Sequence, residues 1–91
     1  MNKHIFKYEI PITDEVIELE VPFDSDLCDI HPIGEKIYMW LSIDIHEVKC
    51  KRYLKIFGTG NQIINAEKLF FLKTVVMPNG LVWHIFSIDV N

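Results

Sequence analysis

Apolar and polar residues alternate with a period of two along most of the chain. His4, Phe6, Tyr8 and Ile10 fall on one side of the first segment, and Ile5, Lys7 and Glu9 on the other. This is the pattern of an extended strand. Pro11 ends it, and Thr13-Asp14-Glu15 suits a turn. From Val16 to Val21, Ile17, Leu19 and Val21 share a side opposite Glu18 and Glu20. The two segments read together as a hairpin, closed by Pro22, which has no N–H to give a ladder.

Leu27 to Ile33 is a weaker strand interrupted by Pro32, and Gly34-Glu35 marks a tight turn. Lys36 to Ile43 places Ile37, Met39, Leu41 and Ile43 on one face and Lys36, Tyr38, Trp40 and Ser42 on the other. A second hairpin is expected there. Val48 to Phe57 follows, with Val48, Cys50, Leu54 and Ile56 on one face, Arg52 as the polar exception, and Lys49, Lys51, Tyr53, Lys55 and Phe57 on the other. Gly58-Thr59-Gly60-Asn61 breaks it, and Asn65 to Lys68 suits one helical turn. Leu69 to Met77 and Leu81 to Ile88 flank Pro78-Asn79-Gly80, the strongest hairpin signal in the chain.

Seven strands at spacings of about ten residues predict an all-β fold, a small antiparallel sandwich or partly open barrel, with residues 1–91 as a single β domain. The expected core includes Ile37, Met39, Leu41, Leu54, Ile56, Val75 and Ile85. Composition agrees. The chain has 14 isoleucines, seven valines and one alanine, and stiff β-branched side chains fit a pleated surface better than a helix. By surface scaling, a chain of 91 residues buries about two thirds of its surface on folding, enough for one modest core.

The last two strands are apolar on both faces. Exposed, they would form a contiguous patch that a monomer rarely tolerates, so a homodimer is expected. The net charge of −4 argues against general nucleic-acid binding. No apolar run is long enough to span a membrane, and the opening residues carry no apolar export signal. A reducing cytoplasm is therefore expected, with Cys28 and Cys50 as free thiols acting as small buried hydrophobes.

The candidate chemistry is sparse. Two glycines around a hydroxyl, in Gly58-Thr59-Gly60-Asn61, can form a nest of N–H groups for an anion, or simply a turn. Histidine as a residue type can act as acid, base or ligand, which makes His84 a candidate, yet His4, His31 and His46 lie on other segments, and a hydrogen-bonded structural ring is the competing reading. Lys51, Tyr53 and Lys55 share a face. If their strand pairs with the one bearing Tyr38 and Trp40, lysines and rings become neighbours that stack a base and neutralise phosphate. The competing reading has the lysines guarding an edge strand. Asp24, Asp26, Asp29 and His31 lack a calcium-loop pattern and read as a solvated acidic face. No nucleophile motif, metal spacing or cofactor fingerprint is present, so a non-enzymatic protein without cofactor or metal is expected. The ligand-binding candidates are Gly58, Thr59, Gly60, Asn61, Lys51, Lys55, Tyr53, Trp40 and His84.

Ile56-Phe57-Gly58-Thr59-Gly60 and Gly80-Leu81-Val82-Trp83-His84-Ile85-Phe86, with Lys7-Tyr8-Glu9, Thr13-Asp14-Glu15 and Met39-Trp40-Leu41, resemble a family of small uncharacterised bacteriophage proteins. The chain departs from that pattern at Asn61-Gln62, where His-Pro is common, and at Lys73-Thr74, where Gly-Thr is usual. The resemblance implies a phage product acting in the cytoplasm of an infected bacterium. By analogy it implies a binding protein that modulates a host protein, host-defence inhibition being one form. The alternative is sequestration of a small anionic ligand such as a nucleotide signal.

Overall fold

A computed structural model describes residues 2–89. Its seven strands are β1 (His4–Ile10), β2 (Ile17–Pro22), β3 (Asp26–Ile33), β4 (Lys36–Ile43), β5 (Lys49–Gly58), β6 (Leu69–Val76) and β7 (Val82–Ile88), with one 3₁₀ turn at Ala66–Lys68. They form two open antiparallel sheets, one ordered β1-β4-β3 and the other β2-β5-β7-β6. The predicted all-β sandwich with a single helical turn is what the chain adopts, and it does not close into a barrel.

Each strand turns its apolar side inward. Ile37, Met39, Leu41 and Ile43 of β4 face Leu54 and Ile56 of β5 and Ile85 of β7, and Ile10, Ile17, Val21, Ile30, Val75 and Met77 complete one buried cluster. All seven expected core residues are in it. Each such side chain contributes about 1.5–3 kcal/mol when fully buried. Arg52, the exception on its face, points inward too, and its Nη2 donates to the Ser25 carbonyl at 2.7 Å.

Two expected hairpins form. β3 pairs with β4 around Gly34-Glu35, and β6 with β7 around Pro78-Asn79-Gly80. The expected hairpin of the first two strands does not form: β1 pairs with β4, and β2 with β5. The link is six residues long, from Pro11 to Val16, too long for a two-residue primed turn. In these pairings the inner stripe of β2 is buried at Ile17 and Val21 and that of β1 at Ile10, while Phe6 stays 45% exposed. β2 also gains complementary neighbours, with Glu20 opposite Lys51 and Glu18 Oε1 3.7 Å from Lys51 Nζ. The conditional pairing of the Trp40 strand with the lysine strand fails as well, because β4 and β5 lie in different sheets.

Candidate functional site

The outward face of the larger sheet carries the side chains that matter. In register, Lys55 of β5 lies beside Phe86 of β7, which lies beside Phe71 of β6. One row further, Phe57 lies beside His84, which lies beside Thr74. The three phenylalanines meet edge to face, with Phe86 at 5.4 Å from Phe57 and 5.5 Å from Phe71 between ring centroids. That is the favoured geometry of aromatic pairs. Both faces of β7 are thus half-covered within one chain, the outer one partly by these rings.

After β5 the chain turns sharply. The Asn61 N–H donates to the Gly58 carbonyl at 3.1 Å, and Gly60 sits at φ 90°. A type II turn needs positive φ at its third position, where a side chain is strained. The turn is fastened to the sheet through His84, whose Nε2 lies 2.8 Å from Thr59 Oγ1 and whose Nδ1 lies 3.0 Å from Thr74 Oγ1. A neutral imidazole offers one N–H and one lone pair, and each hydroxyl donates or accepts, so both ring nitrogens are satisfied. Gly58, Thr59, Gly60, Asn61 and His84 therefore do come together, around a notch of about 330 Å³ walled by Phe57, Ile63, Phe71 and Phe86.

A larger cleft of about 610 Å³ opens on the other side of the same turn, sharing Phe57 and Asn61 with the notch. Val16, Ile56, Ile64, Leu69 and Ile88 make it apolar, Asn61, Gln62 and Asn65 supply amides, and Lys55 and Lys68 supply charge against the single carboxylate of Asp14. Lys55 Nζ donates to the Asp14 carbonyl and lies 6.0 Å from the centre of the Phe57 ring. The cleft falls in the size range of small-molecule sites, and a mainly apolar lining with a few placed polar groups is their usual make-up.

The remaining candidates lie elsewhere. Lys51 and Tyr53 line a separate groove of about 300 Å³ with Arg52 and Phe70. Trp40 is on the outer face of the smaller sheet, tilted against Tyr38 with ring centroids 6.3 Å apart. It cannot share a ligand with Lys55. Cys50 is half-buried as a small apolar side chain, but Cys28 is exposed, because a bulge between Leu27 and Asp29 interrupts the alternation there. Asp29 is more than a solvated charge: it accepts from Lys73 Nζ at 2.7 Å and from the Ile30 N–H at 2.8 Å. The Lys73 bond, with the backbone bond behind it, holds its carboxyl below the ordinary carboxylate range. Among the described residues, no three His, Cys, Asp or Glu side chains converge in a way that could hold a metal ion.

Lys68, Ile64, Leu69, Phe71 and Phe86 were not anticipated. Phe86 and Ile88 alternate onto the face opposite Ile85, and extending that register across β5 would have placed them beside Lys55. Nothing local marks Lys68 or Ile64, because the segment after Gly60 has no periodicity.

The family model for a domain of unknown function, DUF7352, matches residues 1–90. The chain belongs to that family. No curated protein and no solved structure matches it. The DUF7352 match spans both sheets, the fastened turn and the cleft together.

Proposed function

We propose that the protein is a non-catalytic binding module that holds a small anionic ligand with an apolar or aromatic body, a nucleotide being the type, in the cleft between β5, β7 and the segment after Gly60. The 610 Å³ apolar cleft with Lys55 and Lys68 at its wall carries this reading. An apolar body is desolvated against Val16, Ile64 and Ile88, and the anion is met by two ammonium groups, each charge-assisted bond contributing about 1.5–3 kcal/mol. His84 supports a binding role over a catalytic one, since its ring nitrogens are both engaged in holding Thr59 and Thr74. The phage resemblance would set such a ligand in an infected bacterial cell.

Titration calorimetry against AMP, ADP, a cyclic dinucleotide and laurate tests the reading. One-to-one binding of at least one of these anions is expected, weakened about tenfold or more in Lys55→Ala and in Lys68→Ala. Absence of binding across the panel, or binding indifferent to both lysines, would overturn it. A second reading, docking of a protein partner, is favoured by the exposure of Phe71, Val76 and Ile64 on the same face, at 57%, 63% and 70%. It predicts that Phe71→Ala abolishes capture of the partner while ligand binding persists.

A further inference from the structure

The two open sheets leave four edge strands, and three of them are blunted. β3 carries a bulge between Leu27 and Asp29 and a proline at Pro32. β6 carries a bulge between Phe71 and Lys73, and Lys73 ties it across to Asp29 of β3. β2 is short, ends in Pro22 and projects Glu18 and Glu20. These are the devices by which edges avoid pairing with other chains.

β1 is less protected: its outward charges, Lys7 and Glu9, are of opposite sign, whereas β2 projects two of one sign. All seven of its residues run in unbroken register with β4, from His4 opposite Ile43 to Ile10 opposite Ile37. It has no proline and no bulge, and among the described residues β4 is its only sheet neighbour. Ile5 and Phe6 are 66% and 45% exposed along it.

We infer that β1 is the docking edge for a second copy of the same chain, joining the two β1-β4-β3 sheets antiparallel about a two-fold axis. The charges select the register. In an antiparallel pair, opposed residues must lie on the same face, so the axis passes beside Phe6, Lys7 or Tyr8. At Lys7 it would set two ammonium groups against each other. At Phe6 it would set Ile5 against the partner's Lys7 and send Glu9 to the partner's Lys3, which already pairs with Asp26 at 3.0 Å. At Tyr8 it places Lys7 opposite the partner's Glu9 twice over, and Phe6 beside the partner's Ile10. Cross-strand pairs of opposite charge stabilise, and like charges directly opposed destabilise. Within the chain Glu9 Oε1 lies 3.6 Å from Lys36 Nζ, and Lys7 Nζ lies 4.7 Å from the centre of the Tyr38 ring. Both side chains are solvent-exposed, and exposed contacts of this kind are worth at most about 1 kcal/mol. Each can therefore be shared with or exchanged for a partner at little cost.

Sedimentation equilibrium at tens of micromolar tests this. The wild type should sediment at twice 10.7 kDa. Lys7→Glu and Glu9→Lys should each weaken self-association about tenfold or more, because each sets two like-charged pairs face to face. Mixing the two variants should restore the dimer, as should combining both changes in one chain. Unchanged circular dichroism of each variant shows that the fold is kept. A wild-type monomer overturns the inference, and so does a dimer indifferent to both reversals. A dimer broken by Phe71→Ala and not by Lys7→Glu would place the contact on the outer face of the larger sheet instead.

Discussion

Arg52 is a cation on the inner face of the sandwich, and its replacement gives a stability loss that can be worked out in advance. Its guanidinium donates to the Ser25 carbonyl at 2.7 Å, and Ser25 is only 5% exposed. The stem lies against Leu27, Met39, Leu41, Leu54 and Leu72 around a cavity of about 50 Å³. Arg52→Met keeps most of the stem and removes the charge-assisted bond, leaving the carbonyl with no donor from the guanidinium. That costs about 1.5–3 kcal/mol. Arg52→Ala also strips the two methylenes beyond Cβ, at about 0.8 kcal/mol each if fully buried. The side chain is half-buried, so a further cost of about 1 kcal/mol is expected. Urea unfolding of the three proteins, with equal m-values, reads both steps as shifts in midpoint. The alanine variant should lose about 2.5–4 kcal/mol, a large share of the 5–15 kcal/mol typical of a domain. If both variants stay within about 0.5 kcal/mol of wild type, water reaches Ser25 and the bond does not hold the sheets together. If Arg52→Met alone is as stable as wild type, the cost of desolvating the guanidinium cancels the bond.

Ile85 is fully buried on β7 between two strands, and Ile85→Ala should cost about 2–5 kcal/mol in the same urea assay. Gly60→Ala should cost about 1 kcal/mol, because φ 90° strains any side chain although nothing lies within 4 Å of the added methyl. Trp83 Nε1 is buried with no acceptor among the described residues. Trp83→Phe should therefore stay within about 1 kcal/mol of wild type, since removing an unsatisfied N–H offsets the lost packing. Asp29 is held below its ordinary value by Lys73 and the Ile30 N–H. Its contribution is thus complete above the unfolded carboxylate pKa of about 3.9 and is lost as pH falls through the depressed folded value. Wild type should exceed Asp29→Asn in urea midpoint at pH 7, and the gap should close under acid conditions.

The inward residues were legible because burial imposes a period of two that survives any arrangement of the strands. Ile37 to Ile43 reads the same whether β4 pairs with β1 or with β5. Pairing was legible only where the connection was short, as at Gly34-Glu35 and Asn79-Gly80. The six-residue link from Pro11 to Val16 and the ten residues from Thr59 to Lys68 impose no local geometry, so the sheet order, and Trp40 with it, went astray. The turn around Gly58-Thr59-Gly60 could be read from its glycines, but its fastening could not, since Thr59, Thr74 and His84 stand 10 to 25 residues apart.

The cleft belongs to the same class of long-range result, and that bears on how it works. Its walls come from the β1–β2 link, from β5, from the segment after Gly60 and from the last strand. Only β5 and β7 among these are held in the interior of a sheet. The rigid floor is thus Phe57 and Ile88, while Asn61, Gln62, Ile64 and Asn65 ride on a segment fixed at one end by the Gly58–Asn61 turn and the Thr59–His84 bond. Loosening that anchor should leave the floor intact and move the amides. Thr59→Val removes the hydroxyl while keeping the branched shape, so it should weaken a bound anion such as AMP or laurate chiefly through faster dissociation, with a urea midpoint close to wild type. Surface plasmon resonance separates the two rates. An unchanged off-rate in Thr59→Val would mean that the segment is held by its own apolar contacts and that the His84 bond plays no part in the site.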